Sequence, residues 1–258
     1  MVKGLYTAYT GMVNEQNRLD IMTNNLANVN TTGFKKEGST SQSFADILAY
    51  NIKDRSEFYL AKRMGVNNPG VRIGENYTDW QEGPIKNTNN TYDLALSGNG
   101  FFQIEFTDKA GNTSTKYTRD GSFTLNSNGD LVTKDGDYVL DTNGERITID
   151  PTQETEINGQ GQIWQNGTLR ATVGLIDFED YNYIEKYGEN LYQTVDGATE
   201  QDATATVHSG YLEQSNVNVV SEMVNMIAIQ RQYESNQKVI KTMDGSLDVA
   251  VNNLGRVN

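Results

Sequence analysis

The sequence predicts a discontinuous α+β fold: long N- and C-terminal helices paired as a coiled-coil layer, with an antiparallel, mainly β domain inserted between them. Three observations carry this expectation. Apolar residues recur in alternating steps of three and four at both ends, the period changes to two between them, and turn dipeptides punctuate that middle region.

At the N-terminus the apolar stripe runs through Leu5, Ala8, Met12, Leu19, Met22, Leu26 and Val29, with Glu15 filling one position badly. That spacing is a heptad seam. Gly33 follows the last seam residue, where a glycine ends a helix in a left-handed conformation at little steric cost. Asn28, Asn30, Thr31 and Thr32 supply side chains that compete with helical bonding. Residues 1–33 therefore read as the first helical segment. Residues 34–91 read as an extended connecting arm, rich in Asn and Gly and carrying Pro69 and Pro84, with a short helix at FADILAYNIK.

Residues 92–206 read as a β-rich domain. SGNGFFQIEF, TKYTRDGSFTL, GDLVTKDGDYVLD and GERITID are short aromatic and β-branched runs broken by Asp120-Gly121, Asn128-Gly129, Asp135-Gly136 and Asn143-Gly144, dipeptides that favour hairpin turns with positive φ. Further strands are expected at GQIWQ, LRATVGLIDF and ENLYQT, giving an antiparallel sandwich or partly closed barrel. Phe101, Phe102, Tyr117 and Phe123 alternate within such runs, which favours core packing over a carbohydrate platform.

Residues 207–258 form a return segment and the C-terminal helix. In LEQSNVNVVSEMV, Ser215, Asn216 or Asn218 can cap its first turn. Its stripe passes through Val219, Met226, Ile229, Tyr233, Ile240, Met243, Leu247, Ala250, Leu254 and Val257, with Glu222 and Asn236 as polar intruders. A helix from residue 217 to 254 would be about 55–60 Å long and would project from a domain of this size. Val220, Val224, Ile227 and Ala228 widen the apolar face and imply more than one partner helix.

Composition excludes several function classes. The 258 residues carry a formal charge of −13, and the cations are scattered singly or in short pairs such as Lys35 and Lys36, which argues against nucleic acid and anionic membranes. The absence of cysteine excludes disulfides and thiolate metal sites. No run reaches the ~18 apolar residues of a membrane span. The first residues lack an apolar core followed by a small-residue cleavage site, so export would not use an ordinary secretory signal.

The single histidine, His208, has no evident nucleophile or metal co-ligands, and Asp135 with Asp137, or Asp177, Glu179 and Asp180, read as solvated turn residues. No catalytic, cofactor or metal site is expected, and a hydrolase using acidic turn residues ranks last among the readings.

Four stretches together resemble the signature of the bacterial flagellar basal-body rod and hook proteins: TNNLANVNTTGFKK (23–36), TYDLALSGNGFFQI (91–104), YTRDGSFTLNSNGDLVT (117–133) and SGYLEQSNVNVVSEMVNMIAIQRQYESNQKVIKTMD (209–244). The signature positions are Asn24, Asn25, Leu26, Ala27, Asn28, Gly33 and Phe34, with Ser215, Asn216, Val217 and Asn218. Length and composition fit the distal rod type best and the proximal rod type next, while the segment from Phe34 to Asn90 departs most from the distal pattern. The resemblance implies a structural, non-enzymatic subunit of a helical tube in the basal body. It also implies export across the cytoplasmic membrane by the flagellar type III apparatus with no cleaved signal peptide. The assembly contacts expected are Leu5, Ala8, Met12, Leu19, Met22, Leu26 and Val29 with Met226, Ile229, Tyr233, Ile240, Met243, Leu247 and Leu254. The partners implied are further copies of the chain, other rod and hook proteins, the export apparatus, and surrounding ring proteins or peptidoglycan, with no membrane insertion. A competing reading is a secreted glycan-binding β domain on a coiled-coil stalk.

Overall fold

A computed structural model of the chain describes residues 2–45, 47–51, 62–188 and 190–254. The architecture is α+β. Contacts divide it into one unit of residues 1–27, 37–79 and 218–258 and a second of residues 28–36 and 80–217.

The first unit holds both terminal helices. Helix α1 spans Val2–Ala27. Helix α2 spans Val219–Val249 and ends in a π turn at Ala250–Leu254. Its 31 residues make it about 46 Å long, shorter than the expected span. The two helices lie against each other. A Cβ on Gly4 would meet the Met243 side chain, and one on Gly11 would meet Asn236. A step of seven up α1 thus matches a step of seven down α2, so they run antiparallel.

Another part of α1 is covered by a β ribbon, Glu37–Ser43 paired antiparallel with Val71–Thr78. Much of this expected connecting arm is therefore a hairpin folded with the helices. The short helix expected at FADILAYNIK is corrected: Ile47–Asn51 is a strand paired with Lys62–Asn67, and the rest of that stretch beyond Asn51 lies outside the described residues. A five-residue apolar run suits either element, and the partner strand decides it.

The second unit is built on an antiparallel nine-stranded sheet. Its hub is Phe101–Thr107, bonded along one side to Thr113–Thr118 and along the other to Leu175–Phe178 and then Tyr138–Val139. Smaller antiparallel pairings join Leu94–Ser97 to Thr206–Ser209 and Ile85–Asn87 to Tyr211–Glu213. Adjacent residues of the hub strand point into different cores, as strand alternation requires. Phe102 packs with Leu94, Leu96, Phe123, Leu131 and Val139. Phe101 packs with Tyr117, Phe178, Ile184 and Tyr192. The four aromatics considered as a carbohydrate platform are all buried.

Among the described residues, five turns share one pattern. They start at Asp108, Asn126, Thr133, Asp141 and Asn158, and in each the glycine three positions on donates its N–H back to the first residue's carbonyl. Those glycines all have positive φ, the type I turn with a left-handed closing residue. Asp120-Gly121 is the exception. Gly121 is needed instead because a Cβ there would lie 1.7 Å from the Leu94 carbonyl oxygen.

Two phenols, one buried and one half-buried, donate to carboxylates beside the second core: Tyr117 to Glu200 Oε1 at 2.6 Å and Tyr181 to Asp177 Oδ1 at 2.7 Å. Burial first, and then these anionic acceptors, raise both phenol pKa values well above the ordinary one. Because the folded values are raised, this contribution is fully present below about pH 10 and is lost as pH climbs past the unfolded value. Near-ultraviolet titration should therefore show phenols that ionise only on unfolding. Tyr117→Phe should make the alkaline fall in stability shallower; an unchanged slope would show that this phenol titrates normally.

Candidate assembly surface and the signature residues

From Glu222 to Ala250, the residues of α2 that are not exposed are Glu222, Met226, Ile229, Tyr233, Asn236, Ile240, Met243, Leu247 and Ala250, in alternating steps of four and three. Ile229 and Glu222 are buried and the others half-buried. On α1, Leu5, Met12, Leu19, Met22 and Leu26 are half-buried and Ala8 is buried. Leu254 ends the π turn and its side chain lies outside the described residues, as does Val257.

Buried polar residues mark the side of α1 that meets the ribbon. Ser41 Oγ donates to Asn14 Oδ1 at 3.1 Å, and Thr10 packs against Pro69 and Gly70. Asn25 holds both backbone groups of Glu37: its Nδ2 donates to the carbonyl at 2.8 Å and its Oδ1 accepts from the N–H at 2.9 Å.

Beyond the stripe, α2 presents a second apolar row to solvent. Val220 is 72% exposed, Val224 60%, Ile227 51% and Met223 50%. Their spacing puts them on one helical face. Tyr6, Tyr9 and Val13 form an exposed row on α1.

Two expectations at the end of α1 need correction. Val29 lies beyond the helix, in a turn closed by Thr31 N–H donating to the Asn28 carbonyl at 3.2 Å, so it does not extend the stripe. Gly33 has φ +65° but is not the helix terminator, which comes six residues earlier at Ala27. It is glycine because a Cβ would sit 2.4 Å from the Arg119 backbone.

Within the second unit, the stretch after α1 and the stretch before α2 meet. Gly33 N–H donates to the Glu213 carbonyl at 2.8 Å, and Lys36 N–H donates to Asn216 Oδ1 at 2.8 Å. Phe34 is buried under Lys186, whose Nζ lies 4.1 Å from its ring centre. Val217 is buried, and Ser215 Oγ accepts its N–H. In the first unit Asn218 is the N-cap of α2, its Oδ1 accepting from Ser221 N–H at 3.1 Å. Of the three capping candidates, Asn218 takes the role because Ser215 and Asn216 are engaged here.

Beneath these segments lies a buried ionic cluster. Lys35 Nζ donates to Glu213 Oε1 at 2.6 Å and to the Gln81 carbonyl at 2.9 Å, and Gly83 N–H donates to the same Oε1. Arg119 approaches Glu213 Oε2 at 3.5 Å and donates to the Gly98 carbonyl. Lys35 is 1% exposed, Glu213 2% and Arg119 4%. Burial pulls the Lys35 pKa below its ordinary value, and the attraction of Glu213 only partly opposes that. The sequence shows Lys35 only as one of a short cation pair with Lys36. Its one visible signal was adjacency to the Gly33-Phe34 pair.

His208 is exposed on its strand, edge-on to Tyr211 at 6.3 Å. Among the described residues no group of three His, Cys, Asp or Glu side chains could hold a metal ion, and no helix is long and apolar enough to cross a membrane.

Three family models match the chain. Residues 5–35 match "Flagella basal body rod protein", residues 95–165 match "Flagellar hook protein FlgE/F/G D1 domain", and residues 208–254 match "Flagellar basal body rod FlgEFG protein C-terminal". Among curated relatives, the flagellar basal-body rod protein FlgG of Buchnera aphidicola subsp. Schizaphis graminum is 35% identical, with 96% of this chain and 98% of that one aligned. FlgG of Bacillus subtilis is 35% identical over 98% and 99% of the two chains. The rod protein FlgF of Caulobacter vibrioides is 37% identical over the whole of both.

Removing the Glu213 carboxylate would leave Lys35 and Arg119 buried without their counter-ion. Glu213→Ala should lower stability in denaturant titrations by about 3–5 kcal/mol. Asn218→Ala should cost only about 1 kcal/mol. Equal effects would mean that the cluster is not the stronger restraint.

Proposed function

This chain belongs to the flagellar basal-body rod protein family, and on that premise we propose that it polymerises through its terminal helices into a helical tube that transmits motor torque. Rod proteins are structural components of the basal body rather than enzymes, and they work among other rod and hook proteins. The polymer adds to this a coiled-coil inner layer in which the α1–α2 pair of one copy packs against those of neighbouring copies.

One observation carries the reading: the row Val220, Met223, Val224 and Ile227 stands exposed although the stripe beside it is already shielded. A single antiparallel helix pair covers one stripe per helix, so the second row needs another helix. Contacts between unlike faces that do not close into a ring generate an open filament. Helices packed continuously from copy to copy would resist twisting, which is the mechanical requirement of a drive shaft. The flagellar export apparatus is the expected route of delivery.

Within the family, the distal rod is the assignment we favour, because the similarity to FlgG proteins, which are distal, extends over almost the whole chain. The proximal rod is the second reading, favoured by the end-to-end similarity to FlgF of Caulobacter vibrioides. Expression in strains lacking one or the other rod protein separates the two. Restored swimming only in the distal-rod mutant is the expected outcome, and rescue only of the proximal-rod mutant would reassign the chain.

The combined change Val224→Asp and Ile227→Asp should abolish swimming and leave truncated rods by electron microscopy. Each buried unpaired carboxylate would cost roughly 2 kcal/mol or more at an interface. Because both positions are exposed in the lone chain, its unfolding transition should not move. Normal motility in this variant would remove the row from the assembly.

A further inference from the structure

We propose that the outward face of the three-stranded sheet around Trp164 is a binding subsite for one ring of an uncharged hexopyranose glycan. The inference is independent of the rod assignment.

The sheet consists of Thr155–Ile157, Gln162–Gln165 and Thr168–Thr172. One of its faces is core, where Ile163 and Gln165 are almost fully buried. Alternation sends Trp164 to the other face, a position where a polar residue is the usual choice. Trp164 is half-buried there, paired across the strands with Glu156 on one side and Leu169 on the other, and Leu169 is 44% exposed. Indole and leucine make an apolar strip crossing the strands.

A hollow of about 210 Å³ lies beside the indole, lined by Glu154, Glu156, Asn166 and Gly167. At roughly 30 Å³ per water it would hold about seven waters, the scale of a single sugar ring. Its rim is a tight turn in which both Asn166 and Gly167 have positive φ, and Asn166 Nδ2 is tied to Gln153 Oε1 at 3.0 Å. The site is therefore preformed, and little ordering is needed on binding. Among the described residues, neither carboxylate nor the indole N–H has a hydrogen-bond partner within the protein.

A pyranose has an apolar face of C–H groups and an equator of hydroxyls. The indole supplies a flat surface for the first. Glu154 and Glu156 accept from the second, the Asn166 carbonyl oxygen adds another acceptor, and the indole N–H donates. Two carboxylates on one rim repel sugar acids, so the site selects neutral rings over uronates. The buried aromatics Phe101, Phe102, Tyr117 and Phe123 offer no comparable surface.

The test titrates the full-length chain with an N-acetylglucosamine oligomer, a galacturonic acid oligomer and a lysine peptide, read by calorimetry and tryptophan fluorescence. The neutral oligomer should bind saturably and the uronate should not. Trp164→Ala should weaken binding about tenfold or more. Glu156→Gln should weaken it several-fold. Trp164→Thr, a strand-former on a solvent face, serves as a second variant if the alanine protein fails to fold. No saturable binding of the neutral oligomer, binding that survives both tryptophan substitutions, or tighter capture of the lysine peptide would each overturn the sugar assignment.

Discussion

The carboxylate of Glu213 organises the second unit. Burying one carboxylate with an ammonium and a guanidinium is expensive unless every group finds its partners. Here the contacts come from separate parts of the sequence: Lys35 from just after α1, Gln81 and Gly83 from the segment leading into the sheet, and Arg119 from the end of a sheet strand, which meets Glu213 Oε2 as an ion pair only and leaves that oxygen and its own Nε and Nη1 without a hydrogen bond. An arrangement that displaced any of these segments would strand a charge away from water. The cluster thus selects one relative placement of four segments, which apolar packing alone would fix less sharply. The signature residues around it are consistent with this. Gly33, Phe34 and Asn216 bring backbones close, or fill space, where the cluster needs them.

The first unit depends on a different constraint, the mismatch between what two helices can cover and what they present. Antiparallel pairing shields one stripe of α2, and most of its members remain only half-buried. Two of them, Glu222 and Asn236, are polar, which weakens the stripe as a hydrophobic strip but gives it register. Another side of α1 is occupied by a ribbon tied to it by hydrogen bonds to Asn14 and Asn25. Apolar residues remain uncovered in the first turns of α2, along the Tyr6, Tyr9 and Val13 row of α1, and near the end of α2 at Val249 and Val251.

Much of this was legible in the amino-acid order. A 3.6-residue period sustained over thirty positions has few structural readings, so both helices and the stripe positions were visible. The hairpin glycines and the buried aromatics of the hub strand were equally plain. The ribbon was not, because EGSTSQS has no apolar alternation: its partner on α1 is a polar surface that supplies hydrogen bonds instead of burial. ILAYN carried too few residues for its period to decide between helix and strand. Gly33 was read as a helix terminator because local propensity cannot anticipate a backbone arriving from residue 119. Lys35 looked like any surface lysine, since its counter-ion lies far along the chain. Trp164 was overlooked for the converse reason, that strand alternation reveals which residues share a side but not which side is wet.

The separation of Lys35 from Glu213 is 178 residues. The chain between them runs first through the ribbon of the first unit and then through nearly all of the second, so the two ends of a long excursion are held side by side. Lengthening or shortening a hairpin of the second unit away from the cluster would alter that unit's surface without moving the residues that hold the two ends together. Such a layout lets the hairpins of the second unit vary while the ionic anchor that joins its two ends stays constant.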